Sequence, residues 1–218
     1  LCGNIWVGKK PDKDQVLVRV RDIVEDEINK TKSSELCVIA NGTGTKVEIE
    51  NSKIHGLTSW NGACVEAKNL KLRRCDAGGQ GSHVLLQRCE VAHDGSDAKH
   101  GLQVSRGASA EATQSSFSGF HNGCGVLAYG DHSKVVLKEC DSSANWSGLY
   151  ARDGAKVEEV YECKFSDNQK YGVGVRASAS ASLESCVLSG NEQGLYCRQD
   201  AALSWSDCEV NDIVDLTE

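Results

Sequence analysis

GLYARDGAKVEEVYECKFSDNQKYG, running from Gly148 to Gly172, is the stretch on which the fold turns. A Gly is followed by an apolar–x–apolar pair, Leu149 and Ala151. Then come Val160, a Cys three residues on at 163, Phe165 two further, Asn168, and the next Gly. The same letters recur on both sides. Corner glycines stand at Gly101, Gly125, Gly148, Gly172 and Gly194, spaced 24, 23, 24 and 22 residues apart. Each is followed by such a pair: Leu102/Val104, Val126/Ala128, Leu149/Ala151, Val173/Val175 and Leu195/Cys197. Period-two alternation is the mark of a strand with one face buried.

A second strand per repeat is anchored on Cys140, Cys163, Cys186 and Cys208, spaced 23, 23 and 22. Leu137, Val160, Leu183 and Trp205 precede these cysteines by three; Ser142, Phe165, Leu188 and Val210 follow by two. Asn145, Asn168 and Asn191 follow the first three by five. The preceding repeat fits as Ala112, Ser115 and Phe117. Going backward, Leu86–Cys89–Val91, Leu72–Cys75–Ala77 and Ile49–Ser52–Ile54 are taken as earlier copies. Cys75 to Cys89 is only 14 residues, which implies either a shortened coil or missing residues. The leucine-rich repeat signature is not kept, and no repeat carries a helical stripe. The pattern predicts an all-β chain: a right-handed parallel β-helix of about eight coils, each roughly 22–25 residues, with rungs about 4.8 Å apart.

Composition agrees with short strands and tight turns: 22 Gly, one Pro, no Met, and 39% hydrophobic residues in a chain of 218. The net charge of −7 argues against a nucleic-acid partner, because phosphate binding needs a basic surface. No apolar run reaches the length of a membrane span, so no membrane partner is expected, and no signal-peptide pattern opens the chain. The first residue is Leu1, which reads as a processed or trimmed product.

Eleven cysteines suggest a disulfide framework, but the columns give a better account. Stacked once per coil, they read as an inward ladder of inert thiols. Rung spacing is slightly wide for a disulfide. No Cys-x-x-Cys pair signals a metal, and no cofactor is expected. The Asn column is expected at a bend, where Asn tolerates unusual backbone angles; the corner Gly is read as a conformational requirement.

The N-terminal part differs. Gln15–Val20 is strand-like, and Arg21–Lys30 has the spacing of a short amphipathic helix, expected to cap the open solenoid end. Residues 1–34 are therefore read as strand and cap, and 35–218 as one β-helix domain, its first coil opening at Glu35–Ala40. Val210–Leu216 is a weaker cap at the other end.

With inward columns assigned, the alternate residues of the post-Gly strand are expected to face solvent. Tyr129, Tyr150 and Tyr196 then run beside Arg152, Arg176 and Arg198. Such a stripe suits a protein segment or a glycan, although β-formers and Arg stems also cover any sheet. A second strip runs from basic (Lys71, Arg73, Arg74, Arg88) to acidic (Glu159, Glu162, Glu184, Asp207), as a solvated face or an end-to-end contact would. The loop His93–His100 holds the densest mix of His and carboxylate; Asp94, Asp97, His100 and Arg106 are the candidate catalytic residues, with Asp76 and His121 nearby in the fold. No nucleophile elbow is present. Sequons at Asn29, Asn41 and Asn145 favour secretion, and the thiol column favours a reducing compartment; the balance is an intracellular protein.

These residues resemble the parallel β-helix repeats of pectin-lyase-like proteins. In particular they resemble the short repeats shared by carbohydrate-binding and sugar-hydrolase proteins and by some F-box and signalling scaffolds. The resemblance covers roughly residues 35–212 and implies the fold, which hosts both enzymes and binding proteins. Polygalacturonases of that fold carry Asn-Thr-Asp, Asp-Asp, Gly-His-Gly and Arg-Ile-Lys. Lys99-His100-Gly101 echoes one of these, no Asp-Asp pair occurs, and pectate-lyase calcium sites are unmatched. The expectation is a non-catalytic recognition module or scaffold acting through the Tyr/Arg stripe. The alternatives are a lyase or epimerase on uronic-acid polymers using the Asp94–His100 loop, and a purely structural assembly element of unknown oligomeric state.

Overall fold

The period-two strands stack as the spacing predicts. The computed structural model describes residues 5–8, 16–23, 36–93, 95, 98–198 and 200–211. Among them, every named element is a β-strand and every strand pairing is parallel. The first sheet has nine strands, from Ile5–Gly8 to Gln193–Cys197, and contains all the post-Gly strands. The second also has nine, from Val16–Arg21 to Ala202–Ser206, and contains the segments leading into the Cys column. A third face is made of short strands such as Glu90–Ala92 and Ser116–Ser118. Nine strands per sheet enclose eight intervals, in line with about eight coils.

Inward residues from the three faces meet in one continuous core. Val126, Leu149 and Val173 of the first sheet, Leu137 and Leu183 of the second, and Phe117 and Phe165 of the third are at most 1% exposed. The large apolar area removed from water along this column is the main stabilising term.

The corner after the second sheet is made by one residue per coil. From Asp22 to Asp207, nine residues hold φ between 50 and 54° at equivalent positions. Each of the first eight still donates its N–H to the next coil, as Glu139 does to the Tyr161 carbonyl at 2.9 Å, so the ladder survives the bend. The Cys column follows directly, and its chemistry explains the residue type. Cys140 Sγ donates to the Lys138 carbonyl at 3.3 Å, and the Cys140 N–H donates to Cys163 Sγ at 3.4 Å. Ser115 fills the same place, accepting from the Cys89 N–H at 3.0 Å. The ten described cysteines are free thiols, as the inward-ladder reading expects.

The Asn column lies at a bend, but the unusual backbone angle belongs to the residue before it. Ala144, Asp167 and Gly190 carry positive φ. The Asn side chains instead replace missing backbone partners. Asn145 Oδ1 accepts from the Phe120 N–H, and its Nδ2 donates to the Phe117 carbonyl, both at 3.0 Å. The corner glycines are likewise present for space and not for φ. A Cβ on Gly148 would sit 2.7 Å from the Gly172 carbonyl oxygen and 2.8 Å from that of Ser142.

Three expectations need correction or restriction. Cys75 does not belong to the Cys column: it pairs with Leu57 and Leu102 in the first sheet, fully buried. The equivalent of Leu86–Cys89–Val91 in that coil is Ala67–Leu70–Leu72, since Ala67 pairs with Leu86 and Leu72 with Val91. The 14-residue interval therefore compares two different columns, and no residues are missing. Coils here are simply short, with bend residues Asn51, Asn69 and Arg88 separated by 18 and 19 positions. The basic-to-acidic strip is not one surface either: Arg74 lies on the first sheet, Glu159 and Glu184 on the second, and Arg88, Glu162 and Asp207 at the bend. At the N-terminus, Ile5–Gly8 and Val16–Arg21 pair with Cys37–Asn41 and Thr45–Glu50, so a solenoid rung precedes residue 35. The expected helix falls mostly on residues 24–30, outside the described residues, as do residues 212–216 of the second cap.

Candidate functional site

The post-Gly strands put three columns on the outer face of the first sheet. Register aligns Gln103, Leu127, Tyr150, Gly174 and Tyr196 in one and Ser105, Tyr129 and Arg152 in the next, which Arg176 and Arg198 continue just past the strand ends, donating their N–H groups to the Ala151 and Val175 carbonyls. The third column precedes the corner Gly: Cys124, Ser147, Tyr171 and Gln193, with His100 joined to Cys124. The expected Tyr/Arg stripe is thus one contiguous face, but it is not simply displayed. Leu127 is 5% exposed and Tyr150 8%, and with Cys124 they form a small apolar cluster against Tyr129 and Tyr171.

The rings are packed on one another and on the sheet. Gly174 leaves room for Tyr150 to lie flat on the backbone; a Cβ there would sit 2.6 Å from the ring. Tyr150 stacks on Tyr171 at 6.0 Å and Tyr171 on Tyr196 at 4.5 Å, while Trp146 meets Tyr150 and Tyr171 edge-on. The guanidinium of Arg152 rides over Tyr129 at 5.2 Å and that of Arg176 over Tyr150 at 5.4 Å. Cation–π contact holds both side chains at the surface with their donors outward.

These groups border a depression of about 410 Å³ lined by His100, Asn122, Gly123, Cys124, Leu127, Trp146, Tyr150, Arg152 and Arg176. Among the described residues no carboxylate is in that lining. The Cys124 N–H donates to His100 Nδ1 at 3.0 Å, so neutral His100 carries its proton on Nε2. Burial lowers its pKa to about 4, helped by the nearby charges of Arg152 and Lys99. Burial pushes the Cys124 thiol up to about 12, so it stays protonated. The depression therefore offers positive charge and N–H donors; its thiol is not an activated nucleophile.

The other candidates lie elsewhere. Arg106 turns away from His100 and stacks over Trp60 at 5.8 Å. Asp76 lines a second depression of about 480 Å³ with Trp6, Trp60 and Arg74, and burial raises its pKa against the opposing effect of Arg74. His121 bonds Gln169 at 3.3 Å. Asp94 and Asp97 lie outside the described residues. Of the two described catalytic candidates, His100 lines the Tyr/Arg depression and Arg106 does not. Arg198 is exposed at the last described rung of the sheet. Asn145 is fully buried and bonded through both side-chain groups, so in the folded chain its sequon is closed to modification.

Sequence reasoning missed Trp146, Tyr171 and Cys124. Each stands one or two residues before a corner Gly, and that position is the signal by which the sequence marks it.

Among the described residues no group of three or more His, Cys, Asp or Glu side chains converges as a metal site, and no helix is long and apolar enough to cross a membrane. Stacked parallel coils with a covered interior and one aromatic–arginine face define a β-solenoid, a fold that supports a repeat scaffold or binding module. The chain belongs to the right-handed β-helix region family, whose profile matches residues 78–215, well over half its length. No curated protein and no solved structure gives a significant match.

Proposed function

We propose that this chain is a non-catalytic recognition module that holds an acidic protein segment against the outer face of the first sheet. The observation that carries this reading is the pair Arg152 and Arg176. Both ride on tyrosine rings and open onto a depression that has no carboxylate in its lining among the described residues, in a chain whose net charge is −7. A cationic, apolar-floored patch on an otherwise acidic molecule selects acidic partners and orients them. A glycan is supported less well. Sugar rings bind by stacking on open aromatic faces, whereas the faces of Tyr129, Tyr150 and Tyr171 are engaged by guanidinium groups or by each other. Catalysis at this depression also lacks support: His100 Nδ1 is already occupied and Cys124 stays protonated.

The test compares the native chain with Arg152→Gln/Arg176→Gln by fluorescence anisotropy, using a labelled Asp/Glu-rich dodecapeptide and, separately, an oligogalacturonate. The native chain is expected to prefer the peptide, and the double variant to lose at least about tenfold in affinity, as for two charge-assisted contacts. Undiminished peptide binding by the variant removes the proposal. Turnover of a uronic-acid polymer, with or without calcium, would replace it with the enzymatic alternative.

A further inference from the structure

The depression beside His100 has more donors than a single carboxylate can use. Arg152 and Arg176 supply two guanidinium groups, and His100, with Nδ1 taken by the Cys124 N–H, has Nε2–H as its remaining donor. Among the described residues the charge balance is equally one-sided. Asp153 lies 3.2 Å from Arg152 and offsets part of it, but Arg176 has no ion pair among the described residues, and Lys99 adds positive charge beside His100. With Asp153 offsetting Arg152, a monoanion would balance Arg176 and leave the charge of Lys99 unmet. A tetrahedral dianion with three acceptor oxygens matches both the charge and the donors, and Leu127, Trp146 and Tyr150 supply apolar walls for the carbon stem beneath it.

We infer that the His100–Arg152–Arg176 depression is a phosphoryl pocket, which takes a phosphorylated side chain of the partner segment. This rests on the proposed recognition of a protein segment and names the group within it that is read. Arg176, held over the Tyr150 ring, makes the fork contact, Arg152 on the neighbouring rung makes a second, and His100 donates one hydrogen bond as a neutral ring. The groups acting on His100 are Arg152 and Lys99, with Cys124 fixing its tautomer. In the chain without ligand, burial holds His100 neutral down to about pH 4, so at pH 7.5 it enters as a neutral donor. A phosphoryl group loses its second charge as pH falls through about 6, so the preference for it weakens there.

The test uses three versions of one acidic peptide, carrying phosphoserine, phosphotyrosine or Glu at the centre, titrated calorimetrically into the native chain, Arg176→Gln and His100→Gln. Inorganic phosphate serves as competitor. At pH 7.5 one phosphopeptide is expected to bind at least about tenfold tighter than its Glu counterpart. That preference falls several-fold by pH 5, and millimolar phosphate competes. Arg176→Gln, with circular dichroism unchanged, abolishes the preference while retaining weak binding of the Glu peptide. Should the Glu peptide bind as tightly as both phosphopeptides, the phosphoryl pocket is wrong and the recognition module stands. Should no peptide bind, the recognition reading fails with it. A preference unchanged in Arg176→Gln also overturns the pocket, since the phosphate would then be read elsewhere.

Discussion

Asn168 takes the place of a backbone partner on each side. Its Oδ1 accepts from the Asn145 N–H at 3.0 Å, and its Nδ2 donates to the Ser142 carbonyl at 3.1 Å. Both partners lie in the buried interior, so truncation leaves a donor and an acceptor unsatisfied. Asn168→Ala is expected to cost about 2–4 kcal/mol, measured by urea unfolding, because stranded buried polar groups lose their hydration without replacement. Asn168→Asp should do no better, since a carboxylate cannot donate to Ser142. A Tm or urea midpoint equal to that of the native chain would show that the stack is decorative. The column itself was legible from spacing alone. Its role was not, because the donor and the acceptor it satisfies lie 23 and 26 residues away in sequence.

The outer strands of the first sheet form a working element whose inner and outer faces have different tasks. Inward residues fill the core, and the outward columns alternate large rings with glycine so that rings can lie on the backbone. Tyr150 over Gly174 and Trp60 over Gly78 follow the same rule. Gly174→Ala is therefore expected to lift Tyr150 and the Arg176 that rides on it, since the new Cβ would sit 2.6 Å from the ring. The ring is a movable obstacle, so the stability loss should stay near about 1 kcal/mol while peptide affinity falls several-fold. Thermal unfolding and anisotropy on the same sample separate the two effects; equal losses of stability and affinity in proportion to unfolding would deny the arrangement. The stripe was readable from period two. That Tyr150 is covered was not, because burial here depends on Tyr171 and Trp146 from neighbouring corners.

The whole molecule is stabilised by repetition, and no disulfide contributes among the described residues. Seven of the ten described cysteines are buried, and only Cys64, Cys197 and Cys208 are partly accessible. Burial raises the pKa of Cys75, Cys89 and Cys124, which slows thiolate chemistry further. Native alkylation by iodoacetamide, mapped by mass spectrometry, should mark Cys64, Cys197 and Cys208 among the ten and spare the buried seven until denaturant is added. The melting temperature should be the same with and without a thiol reductant. Rapid labelling of Cys163 in the native state would contradict the closed core.

The sequence by itself determined the coil. Period-two alternation, corner glycines and the Cys and Asn columns are local and repeat in phase, so the class of fold, the inward faces and the outward Tyr/Arg stripe could be read directly. Where coil length changes, phase is lost: Cys75 looked like a member of the Cys column because its neighbours mimic that motif, and only strand pairing assigns it to the first sheet. The His100 depression was also beyond the sequence. It joins residues from four successive coils, and a concavity depends on side chains stacking across rungs, which no single repeat encodes.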